Sequence, residues 1–111
     1  MIVKESTLDQ TLIALADPTR RAILQKLSEG EARVTELAAP FDISLNSVSK
    51  HIRILERANL VRRRKNGREH ILTLAPGPMD EAAEWIENHR NLWTARLSEL
   101  EKLLTASEGN G

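Results

Sequence analysis

The chain has 111 residues, 41% of them apolar and 29% charged, and its 16 basic and 16 acidic residues cancel at neutral pH. That length holds one small domain, and with only 3% aromatic residues its core must be built from Leu, Ile, Val and Ala. The lack of cysteine excludes disulfides and thiolate metal sites; with no apolar run of membrane-spanning length and no signal-peptide pattern, a cytoplasmic protein with no membrane association is expected.

Ser6 to Ala16 reads as a first helix, with Ser6 and Asp9 as a capping-box-like start and Leu8, Leu12 and Leu15 as its apolar stripe. Asp17-Pro18 opens a second: Asp17 caps it, and Pro18 sits at the first helical position, where its missing N–H costs nothing. Ala22, Ile23 and Leu27 follow, and Gly30 ends it. Arg20 and Arg21 fall in the first turn, where the helix dipole disfavours cations, so each is expected to pair with an acid or reach a phosphate. Thr35 to Phe41 is a short third helix capped by Thr35 and closing at Pro40, and Asp42-Ile43 is a tight turn in which Asp42 can take the left-handed conformation.

Ser44 to Leu60 forms a fourth, amphipathic helix with Ser44 as N-cap. Leu45, Val48, Ile52 and Leu55 make its apolar stripe, while Asn46, Lys50, Arg53 and Arg57 share roughly the opposite face. Glu56 is its one acid. Short hydrogen-bonding residues followed by longer basic ones suit a helix in a DNA major groove, because Asn reads adenine edges and Arg or Lys reads guanine or holds phosphate. A solvated basic face would show the same pattern.

Val61 to Lys65, Asn66-Gly67 and Arg68 to Leu74 read as a hairpin with a type I′ turn at Asn66-Gly67. That turn would set Lys65 opposite Arg68, Arg64 opposite Glu69, Arg63 opposite His70 and Val61 opposite Leu72. Like charges opposed at the tip invite an anion between Lys65 and Arg68. After an Ala75–Pro78 linker, one long helix runs from Met79 to about Leu104. Its seam of Ala83, Ile86, Trp93, Leu97, Leu100 and Leu104 resembles a coiled coil broken by Arg90, with Trp85, His89 and Leu92 widening it. Such a helix is longer than this core needs, so its surplus apolar face should meet another chain. The expected organisation is one domain over residues 1–104, with 79–104 a dimerisation helix and 105–111 a disordered tail.

Zero net charge conceals an uneven distribution. Residues 44–70 hold eight basic and two acidic residues, a local charge of +6, while residues 1–43 carry −2 and residues 79–104 carry −3. Basic charge packed into one segment is the footprint expected of a surface that meets a polyanion.

A helix-turn-helix, a basic wing and a long terminal helix together resemble the ArsR/SmtB-like winged-helix transcriptional regulators. The residues that carry the resemblance are Leu15-Ala-Asp-Pro-Thr-Arg-Arg-Ala-Ile-Leu24, Thr35-Glu-Leu-Ala38, Ser44-Leu-Asn-Ser-Val-Ser-Lys-His-Ile52, Leu55-Glu-Arg-Ala-Asn-Leu-Val61 and the Asn66-Gly67 wing. The resemblance implies a mainly α fold with a small β-hairpin, and a homodimer joined through its first and last helices that binds an imperfect palindrome and usually represses. Metal-sensing members carry a cysteine pair just after Glu-Leu in the helix before the turn; here that place reads Glu36-Leu37-Ala38-Ala39. The family's other metal site, on the last helix, would have one histidine, His89, with Asp80, Glu84 and Glu87, which do not converge on one helix.

The reading is a homodimeric, sequence-specific binder of double-stranded DNA, a repressor and not an enzyme, with no cofactor and no metal. Asn46, Ser47, Lys50 and Arg53 would meet base edges or nearby phosphates, with Ser44, Ser49 and His51 beside them; for His51 a helix-flank hydrogen bond is an equal alternative. Arg57, Lys65 and Arg68 would hold backbone. Leu8, Leu12, Leu15, Ile86, Trp93, Leu97 and Leu100 would form the dimer interface. The rivals are a winged helix docking an acidic protein partner and a metal-responsive repressor using His89 and carboxylates between chains.

Overall fold

The computed structural model describes residues 7–109, and Ser6, with the capping role expected of it, lies outside them. The elements run α1 (Thr7–Leu15), α2 (Pro18–Leu27), β1 (Ala32–Arg33), α3 (Val34–Ala38), α4 (Leu45–Arg57), β2 (Val61–Asn66), β3 (Glu69–Leu74) and α5 (Gly77–Gly109). Thus the fold is mainly helical, with one small antiparallel sheet in the order β1-β3-β2. Ile23, Leu24 and Leu27 of α2, Leu37 of α3, Val48, Ile52 and Leu55 of α4, and Leu60, Val61 and Leu72 close into one core.

Asp17 caps α2 as expected, its carboxylate accepting the Arg20 backbone N–H at 3.0 Å. That hydrogen bond, helped by the nearby Arg20 guanidinium, holds the Asp17 carboxyl below the usual carboxylate range against an opposing desolvation. The folded-state pKa is lowered, so the stabilisation is full above the unfolded value and is lost as pH falls through the folded one. Asp17→Ala should therefore cost about 1 kcal/mol at neutral pH, and Asp17→Asn, itself a good cap, only a fraction of that. In urea melts the wild-type advantage over Asp17→Asn should disappear on acidification; an advantage unchanged at acid pH would show that the carboxylate's charge contributes nothing.

α3 begins one residue before the expected Thr35. Arg33 takes the cap position, and the Glu36 carboxylate reaches back to accept its backbone N–H at 3.1 Å. The helix ends at Ala38, so Pro40 lies beyond it. Asp42 does not adopt the left-handed conformation: among the described residues Asn59 is the one non-glycine with positive φ. The six residues between α3 and α4 relax the turn enough to do without it.

In α4, Ser44 accepts the Ser47 N–H at 3.1 Å, as an N-cap should. The other end closes as a Schellman motif, with Leu60 N–H donating to the Leu55 carbonyl (3.0 Å) and Asn59 N–H to that of Glu56 (2.9 Å). Asn59, at φ 60°, supplies the left-handed residue, and the fully buried Leu55 and Leu60 supply the apolar contact that accompanies it. Leu45 departs from expectation. It lies on the same angular face as Val48 and Ile52 but is 51% exposed, because the first turn of α4 projects past the end of the core.

The hairpin forms in a register two residues away from the expected one. Val61 faces Leu74, Arg63 faces Leu72, Arg64 faces Ile71, Lys65 faces His70 and Asn66 faces Glu69. The tight turn is Gly67-Arg68, with φ +65° at Gly67 and no positive φ at Asn66 or Arg68. A turn of type II′ asks for positive φ only at its first central residue, and glycine meets that without a Cβ penalty; type I′ would have asked it of Asn66 too. A two-residue shift leaves every side chain on its expected face, but it removes the opposition of Lys65 to Arg68 and of Arg64 to Glu69. A strand not foreseen, β1, pairs with β3 through Ala32–Leu72 and Arg33–Ile71.

α5 spans 33 residues, about 50 Å, and continues to Gly109 where a tail from Thr105 was expected. Ala82 is buried and Met79 half-buried against the body, next to α1. Beyond them α5 leaves the domain, and the Cα radius of gyration is 20.3 Å, against about 13 Å for a compact chain near this length.

Candidate nucleic-acid interface

At 100° per residue, Asn46, Lys50, Arg53 and Arg57 fall within a narrow arc of α4, on the side away from Val48 and Leu55. All four are exposed. Beside them stands the wing. Arg33, Arg63 and Arg64 are held by acids: Arg63 donates to Glu56 at 2.7 Å, Arg64 to Glu31 at 2.8 Å, and Arg33 to Glu69 at 2.8 Å and Glu36 at 2.9 Å. Among the described residues, Lys50, Arg53, Arg57, Arg62, Lys65 and Arg68 have no acidic partner. The cations therefore divide into one set spent on locking β1, the wing and α4 together and another presented to solvent.

Glu56, the one acid of α4, is consumed by Arg63, so α4 itself presents no free carboxylate beside this face. A hollow of about 410 Å³ between α3, the start of α4 and the wing is lined by Thr35, Leu45, Ser49, Arg63, Arg68 and His70, among others. Arg62 was not singled out in the sequence, where it is one of four consecutive cations. It stays free because Glu31, just before the unforeseen β1, engages Arg64 instead.

The remaining predicted site residues sit differently. The Ser44 hydroxyl is occupied by the cap and donates to Ser47 Oγ at 3.0 Å. His51 is removed from the α4 face: two residues before Arg53, it lies about 160° round the helix, with its ring turned toward Asp17 and Arg20. Among the described residues neither Arg20 nor Arg21 forms a salt bridge with an acid. Arg20 donates to the carbonyls of Ala14 (2.7 Å) and Ile13 (2.9 Å), and Arg21 to that of Leu15 (2.7 Å), at the negative end of α1.

Of the expected interface residues, Leu12, Ile86, Trp93, Leu97 and Leu100 are exposed, and Trp85, Leu92, Leu103 and Leu104 continue the apolar surface. Leu15 instead packs on its own core and Leu8 is half-buried, while Ile13, not singled out, is exposed. His89 stacks on Trp85 at 3.9 Å, and its Nδ1–H donates to the Trp85 carbonyl at 2.8 Å. Among the described residues no three His, Asp or Glu side chains gather as metal ligands, and the place of the family's cysteine pair is held by Ala38 and Ala39 beside the buried Leu37. The described residues of one chain do not by themselves fit a resident metal.

A short helix, a turn and a basic helix flanked by a basic hairpin define a winged helix-turn-helix DNA-binding protein. Residues 15–64 match a helix-turn-helix domain family. The HTH-type transcriptional regulator Rv2034 of Mycobacterium tuberculosis is 34% identical over 102 residues, 92% of each chain. The transcriptional repressor SdpR of Bacillus subtilis is 32% identical over 78 residues, 70% of this chain and 87% of its own. A crystal structure of an ArsR family transcriptional regulator is 42% identical, covers 80% of this chain and 98% of its own, and superposes with a TM-score of 0.76. An ArsR-like regulator from Rhodococcus sp. RHA1 covers 87% and 92% at 27% identity and a TM-score of 0.74. The chain belongs to the ArsR/SmtB-like family of winged helix-turn-helix transcriptional regulators; it is a DNA-binding regulator and not an enzyme. No helix among the described residues is long and apolar enough to cross a membrane.

Proposed function

We propose that the protein is a homodimeric repressor that lays α4 of each chain in successive major grooves of a palindromic operator. The observation that carries this is the division of its cations: among the described residues those of α4 and the wing tip have no acidic partner, while their neighbours are tied into ion pairs. Asn46, Lys50 and Arg53 read base edges, with the Ser47 and Ser49 hydroxyls at the flanks of the same turn. Arg57, Arg62, Lys65 and Arg68 hold phosphates. The exposed apolar face of α5, with Leu12 and Ile13 of α1, supports pairing through these helices, which would set the two α4 helices about 34 Å apart, one DNA turn. Repression is supported by relatives named as repressors. Selecting bound duplexes from a random pool and footprinting the winner tests the whole reading: a symmetric pair of half-sites is expected, and enrichment of no sequence would overturn it.

The donor set supports repression without a metal. A tight zinc site asks for four converging ligands, and among the described residues no three His, Asp or Glu side chains gather in one chain. Micromolar zinc, nickel or cadmium should leave operator affinity unchanged, and chelator should leave the melting temperature where it was. A metal-dependent change abolished by His89→Ala would place a shared site between chains instead, with Asp80 of one facing His89 of the other.

A further inference from the structure

His51 is where α1, α2 and α4 meet. The Arg20 guanidinium spends Nε on the Ala14 carbonyl and one terminal nitrogen on that of Ile13, and its other terminal nitrogen lies 3.3 Å from His51 Nδ1. Arg20 is always charged and has only donors to offer, so His51 Nδ1 receives with its lone pair and the ring proton sits on Nε2. Asp17 Oδ2 stands 3.7 Å from the same Nδ1. The His51 side chain is 23% exposed, and it points about 160° away from Arg53 around α4.

One guanidinium thus ties the C-terminus of α1, which packs on α5, to the middle of α4. We propose that His51 is a positioning residue and not a phosphate ligand: held by Arg20, it sets the angle of α4 against α1 and so the half-site spacing the dimer accepts. This rests on the operator reading above. The angle matters because α4 meets DNA at one end of the molecule and pairing takes place at the other. A small rotation at this junction moves both recognition helices, in opposite senses, relative to the dimer axis.

The test uses the full chain and the duplex it selects, rebuilt with half-sites moved together or apart by one and two base pairs. His51→Ala should bind the selected spacing roughly tenfold more weakly, in the range of coupling between contacting residues, and should lose its preference among spacings. His51→Asn places an amide oxygen at the position of Nδ1, so it should restore the preference, although it cannot reach as far as Nε2 does. Arg20→Lys keeps the charge but cannot span two carbonyls and a ring, so it should reproduce His51→Ala, and the double variant should be no worse than either. If His51→Ala and His51→Asn weaken every spacing equally, and additively with Arg20→Lys, His51 touches phosphate and the inference is overturned while the operator reading stands. If the unaltered protein prefers no duplex, the operator reading fails and takes this inference with it.

Discussion

Trp93→Glu is expected to give a folded monomer with operator affinity reduced by more than about 100-fold. Trp93 is 65% exposed in the single chain, so nothing in the domain's own core depends on it. In a pair of α5 helices the same indole would be covered, and burying its exposed part is worth roughly 3 kcal/mol per chain. Glutamate would lose that contribution and bring a carboxylate into an apolar seam. Sedimentation at micromolar concentration, circular dichroism and operator titration separate the outcomes. A variant that still sediments as a dimer would move the interface off this stretch of α5. A variant that unfolds would show that pairing and folding are one event.

Adjacent residues of α4 should fail in opposite ways. Ile52 is fully buried among Leu55, Leu60 and α2, so Ile52→Ala should cost about 2–5 kcal/mol of stability, a large share of what a domain of this size has. Arg53 is exposed and makes no ion pair among the described residues, so Arg53→Ala should leave the melt unchanged. It should weaken the selected duplex by about 1–3 kcal/mol and relax preference at one base pair if it reads a base, or weaken all duplexes alike with a shallower salt slope if it holds phosphate. Unchanged binding to every duplex would remove Arg53 from the site.

Much of this was legible in the residues because it depends on local rules. Asp17-Pro18, Ser44 and the Asn59-Leu60 stop are each set by chemistry within five residues, and each falls where its pattern places it. The apolar stripe of α4 was equally plain at Val48, Ile52 and Leu55, though not at the exposed Leu45. What stayed hidden depends on distant partners. β1 is two residues long and exists only because β3 is there to pair with it. The hairpin register turned on whether Asn66 or Gly67 opens the turn, a choice that neighbouring strands help settle. The ring of His51 could not be assigned from α4 alone, since its partners Asp17 and Arg20 lie more than thirty residues earlier. The α4 surface was visible as a pattern, but which cations remain free was not, because Glu31, Glu56 and Glu69 choose their arginines only in three dimensions.

Those ion pairs give ionic strength two points of attack. Glu31–Arg64 and Arg33–Glu69, which brace the wing against β1, are about half-exposed on both sides. Exposed pairs of that kind contribute little to stability, and they weaken once the screening length falls toward about 8 Å near physiological salt. Added salt therefore competes for the phosphates that the free cations would hold and also unfastens the hairpin that carries some of those cations. The logarithmic fall of affinity with salt should then be steeper than a count of phosphate contacts predicts. It should return to that count when the brace is rebuilt from uncharged residues that salt cannot reach.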